Sequence, residues 1–332
     1  FICALGITFF TLKENYEGSD VTQSVPVEKE KPKKIEKQKE VKKKIEKKPQ
    51  KKEEQKQVKK PEPKKEKSPS QVTELVLPNL NIKTETVLSL FEDVEYDLKT
   101  VRYQKRVKPI YFTQFPKDLD EIKDTKLKKE TFIKIVLPLV VAENDKILDD
   151  KLKLKRITSK KMTSDKEKSW LRLKLREYKV KNSDMTELNK RMDIIPVSIA
   201  LAQAANESGW GTSRFAQEGN ALFGQWTWSG EGLKPKDADK SKGHKVMKFN
   251  VLQASVRAYQ RNLNTHSSYK NLRKARAELR DKGLPLDSLL LVKFLNQYAE
   301  TGEKYVDVLQ KIIKQNNLKD FDDARLLPSS IK

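Results

Sequence analysis

One acidic side chain stands out by its setting. Glu207 follows a run of mostly small and apolar residues, Val197 to Ala205, and it precedes Gly209. The spacing predicts a helix that Pro196 opens and Gly209 ends, with the carboxyl group in the last turn. The negative end of the helix dipole and the loss of water both disfavour ionisation there. A carboxyl group with a raised pKa suits a general acid that protonates a leaving oxygen. The alternative for a Glu at a helix end is a solvent-exposed or capping residue.

Aromatic and amide side chains follow closely. Phe223, Trp226 and Trp228 lie just downstream with Gln225 among them, so two of the chain's four Trp fall within three residues. Flat apolar faces and amide groups suit the stacking and hydrogen bonding that sugar rings accept. These four residues, with Tyr259 further on, are therefore candidate substrate-binding residues. The alternative is that the aromatic rings fill the core of a small domain.

A general acid beside a surface for sugar rings would suit hydrolysis of a glycosidic bond, and that reaction ordinarily uses a second carboxylate besides the acid. Inverting enzymes hold it about 6.5 to 9.5 Å from the acid and retaining enzymes about 5 to 5.5 Å, unless the substrate's acetamido group acts as the nucleophile. The Gly- and Lys-rich stretch 229–245 offers Glu231, Asp237 and Asp239 and predicts a β-lobe or loop over the cleft. Glu231 is the first candidate because it lies nearest in sequence to the Trp pair.

The elements that must position these residues lie on both sides of them. Apolar spacing predicts a helix over Thr86–Leu98, a short strand over Val107–Phe112 and a long helix over Thr131–Ile157. Pro138 is expected to kink that long helix or to reset its start. A further helix over Asp165–Tyr178 is expected to pair with it as an antiparallel hairpin.

The amino-terminal part has a different composition. The chain has 332 residues and a net charge of +23, and residues 27–68 hold 19 Lys and 9 Glu with no aromatic residue and no Arg. Such a stretch has almost nothing to bury, which predicts an unpacked linker. Glu interleaved with the Lys argues against nucleic acid as a partner. Phe1–Leu12 is apolar but shorter than the roughly 20 residues that span a bilayer, and predicts a signal segment or a truncated membrane anchor.

Cysteine and histidine offer little chemistry. Cys3 is the chain's one Cys, so no intramolecular disulfide can form, and the two His are His244 and His266. Neither a zinc-site spacing nor a nucleophile triad is present, and no cofactor or metal is expected. His266 is expected to cap or pack a turn.

The segment 206–228, NESGWGTSRFAQEGNALFGQWTW, resembles the signature of the Bax-type glucosaminidases. These are relatives of the glycoside hydrolase family 73 N-acetylglucosaminidases, whose catalytic domains share a lysozyme-like fold. The resemblance continues through residues 249–273 and 295–313, and upstream through 136–148, so that it covers about residues 86–327.

The resemblance implies hydrolysis of β-1,4 bonds after N-acetylglucosamine in peptidoglycan, with Glu207 in the position of the catalytic acid. The family's late-helix Tyr matches Tyr298 in QYAETGEKY, where it would position the substrate acetamido group or a water molecule. Tyr305 and Tyr259 are weaker candidates for such a role, and helix packing is favoured for both.

The sequence thus predicts a mainly α protein with a lysozyme-like catalytic domain, acting as a peptidoglycan hydrolase. The alternatives are a lytic transglycosylase and a non-catalytic peptidoglycan-binding protein. The expected partners are peptidoglycan glycan strands and, through the amino-terminal segment, the inner membrane, in the bacterial envelope on the periplasmic side. The predicted divisions are an anchor or signal segment, a linker, a helical adaptor and the glucosaminidase domain, over residues 1–12, 13–70, 71–189 and 190–327.

Overall fold

A computed structural model describes residues 81–227, 232–234 and 245–328, and of Trp226 it describes the backbone alone. The predicted segment 1–12 and linker 13–70 lie outside these residues. Helices dominate, which confirms the predicted mainly α class. The α-helices are α1 (Thr84–Asp93), α2 (Leu98–Gln104), α3 (Thr125–Thr158), α4 (Asp165–Glu177), α5 (Met185–Arg191), α6 (Val197–Ser208), α7 (Arg214–Gly219), α8 (Leu252–Thr265), α9 (Lys270–Asp281), α10 (Ser288–Leu291) and α11 (Glu303–Gln315). The strands are β1 (Arg106–Val107), β2 (Trp226–Thr227), β3 (Gly232–Leu233), β4 (Lys245–Met247) and β5 (Arg325–Leu326).

The predicted helix over Thr86–Leu98 is two helices, α1 and α2. The chain leaves the helical conformation after Asp93, and Asp97 then accepts a hydrogen bond of 2.8 Å from the backbone N–H of Thr100. A carboxylate in this position satisfies an amide of the first turn. The second helix, α2, therefore begins at Leu98, the residue at which the single predicted helix was expected to end.

The predicted strand over Val107–Phe112 is correct only at its first residue. β1 pairs in parallel with β5, with Arg106 opposite Arg325 and Val107 opposite Leu326. Pro109 has no N–H group to give to a ladder, so pairing cannot run on through this stretch. β1 nevertheless ties the first helices to the end of the described chain.

α3 and α4 form the predicted antiparallel pair. Lys153 of α3 lies 4.7 Å from the centre of the Trp170 ring of α4. Asp150, one turn before Lys153 in α3, contacts Lys174, one turn after Trp170 in α4. Since the contacts move back along α3 as they move forward along α4, the two helices run antiparallel. α3 runs unbroken through Pro138, so the helix does not restart there, although a Pro removes one helical hydrogen bond.

α6 occupies the centre of the core, where it packs against α3, α11 and the short helix Leu318–Phe321. At its start, the Ser198 N–H and hydroxyl donate to the two carboxylate oxygens of Asp322, at 2.8 and 2.9 Å. At its end, Gly209 adopts a left-handed conformation with φ +57° that a side chain would disfavour. Both ends of the helix that carries Glu207 are thus fixed by the surrounding structure.

A buried ion cluster holds the loop that leads into α6. Asp193 is 2% exposed, and its carboxylate accepts hydrogen bonds from Arg280 at 3.1 and 3.2 Å and from Lys151 at 3.1 Å. Arg276 donates to the backbone carbonyls of Asp193 and Ile194. Because a buried charge is tolerated only when it is paired, this cluster fixes α3, α9 and the loop against one another.

The described part of the Gly- and Lys-rich stretch belongs to a small antiparallel sheet of order β2-β4-β3. Trp226 lies opposite Val246, and Gly232 opposite Met247. α7 packs against β3. The predicted β-lobe is therefore present, directly after the segment that contains Gly224 and Gln225.

One hydrophobic core runs from Val87 to Ala324 across the predicted boundary between residues 189 and 190. The reason is that α3, from the predicted adaptor, packs directly on α6 and α8. All described residues fall within one compact unit. Among the described helices, none combines the length and the apolar character that crossing a bilayer requires.

Candidate active site

Glu207 lies in the last turn of α6, at a partly buried position. Its Oε1 atom accepts a hydrogen bond of 2.8 Å from the phenol of Tyr305, in α11, and one of 3.2 Å from the side-chain amide of Asn206. Both donors contact Oε1 and not Oε2. The carboxyl group therefore has a fixed orientation in which its two oxygens are chemically distinct.

A buried chain of hydrogen bonds supports this contact. The amide nitrogen of Gln203 donates to the hydroxyl of Tyr305 at 2.9 Å, and the amide oxygen of Gln203 accepts from the hydroxyl of Tyr259 at 2.7 Å. An amide nitrogen can only donate, so the Tyr305 oxygen accepts from it and its own proton points to Glu207. The order Tyr259, Gln203, Tyr305, Glu207 thus gives the chain a direction. We call these four residues the tyrosine relay.

The environment of the relay is dry. Gln203, Tyr259 and Tyr305 are all buried. Burial raises the pKa of Glu207 above its usual value, and the weaker opposing influence is the pair of hydrogen bonds from Tyr305 and Asn206. Burial also raises the pKa of the Tyr305 phenol, so this group remains a donor. A carboxyl group in this environment holds its proton to a higher pH than an exposed one does.

Gly224 brings the backbone against the other carboxyl oxygen. Its φ is +57°, and a Cβ atom added to it would lie 3.2 Å from Oε2 of Glu207. A side chain here would be both strained and crowded against the carboxyl group. The close approach therefore depends on glycine.

Two of the predicted substrate-binding residues are part of the core. The ring of Phe223 is 1% exposed and stacks on Tyr259, with ring centroids 3.8 Å apart and planes 7° apart. Tyr259 is also fully buried. This burial contradicts a role for either ring as a sugar-stacking surface, and the packing alternative holds for both. The sequence did not separate these cases because an aromatic residue suits a core as well as a cleft.

Tyr298, the predicted positioning residue, contacts the protein around the site. Its hydroxyl donates to the backbone carbonyl of Phe223 at 2.8 Å, and its ring stacks on Tyr305 with centroids 5.6 Å apart. The side chain is 6% exposed. Tyr298 therefore packs behind Tyr305 and braces the segment before Gly224, while Tyr305 is the phenol that reaches the carboxyl group.

The remaining predicted residues are described unevenly. Gln225 is partly buried and its carbonyl accepts a hydrogen bond of 2.7 Å from the N–H of Met247 in β4. The side chain of Trp226, all of Trp228 and all of Glu231 lie outside the described residues. The roles of these three remain predictions.

His266 caps a turn, as expected, because its Nδ1 atom accepts from the N–H of Ser268 at 3.2 Å. His244 lies outside the described residues. In the part of the chain that the structure describes, no three His, Cys, Asp or Glu side chains are grouped as metal ligands would be.

Sequence reasoning missed Gln203 and Gly224 and assigned Tyr305 to packing. One signal for Gln203 was present, since it is a polar residue four positions before Glu207 in an otherwise apolar helix and so shares its face. Tyr305 gave no such signal, because Tyr305, Leu309 and Ile313 follow the ordinary spacing of a buried helix face.

A mainly helical protein with a partly buried, hydrogen-bonded carboxyl group of raised pKa beside a small β-lobe has features that glycoside hydrolases use. Residues 182–318 match the glucosaminidase family model, described as mannosyl-glycoprotein endo-beta-N-acetylglucosaminidase. Protein bax of Escherichia coli strain K12 is 33% identical to this chain over 195 residues, which cover 57% of this chain and 70% of that protein. The chain belongs to the glucosaminidase family, in its Bax-type branch. No solved structure matches the chain, so the lysozyme-like fold remains an implication of the family.

Proposed function

We propose that this protein is a peptidoglycan hydrolase, an endo-β-N-acetylglucosaminidase that cleaves β-1,4 bonds with Glu207 as the general acid. The observation that carries the proposal is the partly buried Glu207 carboxyl group, oriented by the Tyr305 phenol at 2.8 Å. Membership of the glucosaminidase family supports the same class of reaction.

The tyrosine relay assigns the proton to one oxygen. Because Tyr305 and Asn206 both donate to Oε1, the acidic hydrogen belongs on Oε2, the oxygen beside Gly224. Oε2–H gives its proton to the glycosidic oxygen as the bond between that oxygen and the anomeric carbon breaks. The leaving sugar departs as an alcohol, and Glu207 is left as a carboxylate that Tyr305 stabilises.

The oxocarbenium-like centre then needs a negatively charged or nucleophilic partner. The acetamido oxygen of the substrate is one such group, and a second carboxylate is the other. Glu231 remains our candidate for that carboxylate. Water completes the hydrolysis at the anomeric carbon and returns a proton to Glu207, which restores the acid.

The decisive test is Glu207→Gln. A Gln oxygen can still accept the Tyr305 hydrogen bond, so the fold and the melting temperature should be retained, whereas the group can no longer give a proton. We expect release of soluble fragments from purified peptidoglycan to fall by at least about 10²-fold. The matched control is Glu278→Gln on α9, which alters a 55%-exposed carboxylate and should leave release unchanged. Near-normal release by Glu207→Gln contradicts the assignment.

A lytic transglycosylase is the second candidate. The observation that favours it is electrostatic: burial and the hydrogen bonds from Tyr305 and Asn206 shift the pKa of Glu207, and no second carboxylate among the described residues does so. Mass spectrometry of the new chain ends separates the two reactions. Reducing N-acetylglucosamine ends support hydrolysis, and 1,6-anhydro-muramyl ends support the transglycosylase.

We also propose that the protein acts at the bacterial envelope and is tethered to the inner membrane by the apolar segment 1–12, with residues 13–70 as the spacer. The apolar and Lys/Glu-rich compositions of these segments support this proposal. Deletion of residues 1–12 should move the protein from the membrane fraction to the soluble fraction. An unchanged distribution contradicts the tether.

A further inference from the structure

A groove opens between α8 and the β-lobe. It has a volume of about 300 Å³. We call it the basic groove, and its lining consists of Lys179, Gln225, Met247, Ala254, Arg257, Ala258, Arg261, Asn262 and Thr265. Ala254 and Ala258 lie one turn apart on α8 and form an open floor. Arg257 and Arg261, also one turn apart, stand beside that floor.

The described lining includes three cations and no carboxylate. The two arginines are held from behind, because Arg257 contacts Glu143 at 3.1 Å and Arg261 contacts Glu177 at 2.6 Å. About half of each arginine side chain remains exposed. A guanidinium group has five N–H donors, so Arg261 can bind Glu177 and still donate into the groove.

A residue that lines the groove, Gln225, also carries an acceptor that lacks a donor. Oε1 of Gln225 is buried and has no hydrogen-bond partner among the described residues. A buried carbonyl oxygen without a donor is costly, and an N–H group of a ligand would satisfy it. The site therefore pairs cations, which attract carboxylates, with an acceptor for an amide N–H. A peptide that bears carboxylates has both features.

One lining residue of the groove, Gln225, is joined directly to the backbone beside the proposed general acid. Gln225 follows Gly224, whose added Cβ atom would lie 3.2 Å from Oε2 of Glu207, and consecutive Cα atoms are about 3.8 Å apart. A substituent on a sugar ring beside the cleaved bond would therefore lie near Gln225, at the edge of the groove.

We propose that the basic groove binds the stem peptide of peptidoglycan through its carboxylates, and so directs the enzyme to glycan that carries peptides. This inference rests on the proposed function and names the part of the substrate that gives it specificity. Lys179 and Arg261 attract the carboxylates, and the Gln225 side-chain oxygen accepts an amide N–H from the peptide or from an acetamido group.

The test compares two substrates prepared from one sample. The first is soluble peptidoglycan strands that carry stem peptides, and the second is the same strands after an amidase has removed the peptides. We expect kcat/KM to be higher on the peptide-bearing strands. The double variant Lys179→Gln/Arg261→Gln should lower the ratio of the two kcat/KM values by roughly fivefold, in line with two exposed charge contacts. Lys274→Gln, an exposed lysine of α9 outside the groove, is the matched control and should keep the wild-type ratio.

Arg257 is left unchanged because its removal would leave the buried Glu143 without its closest guanidinium partner. If the double variant melts at a lower temperature, Lys179→Gln alone carries the test, since Lys179 makes no ion pair with any residue that the structure describes. Equal cleavage of both substrates by the wild type, or an unchanged ratio in the variants, overturns the inference. If the wild type cleaves neither substrate, the proposed function itself is contradicted. Failure of the inference and failure of the proposed function are therefore distinguishable.

Discussion

Replacement of Tyr305 by Phe tests the tyrosine relay most directly. The phenol donates to Oε1 of Glu207 at 2.8 Å, an ordinary length for an O–H···O bond. This bond is stronger when the acceptor is a carboxylate than when it is a protonated carboxyl group, so it lowers the pKa of Glu207 against the larger effect of burial. Tyr305→Phe should therefore raise the pKa of Glu207 further.

The size of the shift follows from hydrogen-bond strengths. A bond to a charged group contributes about 1.5 to 3 kcal/mol and a neutral one about 1 kcal/mol, which leaves a difference of about 0.5 to 2 kcal/mol between the two protonation states. Since one pKa unit corresponds to about 1.4 kcal/mol, the expected shift is roughly one unit upward. The substitution also leaves the buried amide nitrogen of Gln203 without its acceptor, at a cost of about 1 to 3 kcal/mol in unfolding free energy.

The assay is the pH dependence of kcat on labelled glycan strands. A general acid is active while it holds its proton, so activity falls as pH rises through the pKa of Glu207. In Tyr305→Phe the midpoint of that fall should move up by about one unit, while the maximal kcat decreases because the carboxyl group is less well oriented. An unchanged midpoint, or a downward shift, refutes the relay.

Tyr298→Phe is the matched control. It removes a phenol from a ring stacked on Tyr305, but that hydroxyl donates to the backbone of Phe223 and not to Glu207. The midpoint should stay at its wild-type value. If Tyr298→Phe moves the midpoint and Tyr305→Phe does not, the family's late-helix tyrosine acts on the acid and our assignment is wrong.

Three further predictions concern neighbouring structure. Gly224→Ala forces a Cβ atom to 3.2 Å from Oε2 of Glu207 at a positive φ. The kcat value should fall at least tenfold, while the melting temperature changes little. Asp193→Asn leaves Arg280 and Lys151 without their buried carboxylate and should lower the free energy of unfolding in urea by about 3 to 5 kcal/mol. Burial raises the pKa of Asp322 to about 6, above its usual 3.8, so the folded state binds this proton more tightly than the unfolded state does. The wild type should therefore lose up to about 3 kcal/mol as pH rises from below 4 to above 6, and Asp322→Asn should lack that loss in urea titrations at the two pH values.

Local patterns were sufficient to predict several elements and the position of Glu207 at a helix end. The apolar run before Gly209 predicted α6 and placed Glu207 in its last turn, because a helix end depends on residues within a few positions of one another. The same holds for α3 and α4, whose spacing and intervening polar turn predicted a pair. The linker predicted from the composition of the amino-terminal Lys/Glu stretch lies outside the described residues and stays a prediction.

Long-range packing decided the rest of the site. Tyr298 and Tyr305 lie seven residues apart and both are buried aromatic side chains, so their sequence context does not distinguish them. Which hydroxyl reaches Glu207 depends on how α11 packs on α6, across 98 positions of the chain. The burial of Phe223 against Tyr259 and the approach of Gly224 to Oε2 likewise arise where distant segments meet. Local sequence was thus enough for several of the longer helices and for the position of Glu207 at the end of α6. The hydrogen-bond partners of Glu207 became known only from the fold, because contacts between remote segments depend on the packing of the whole core.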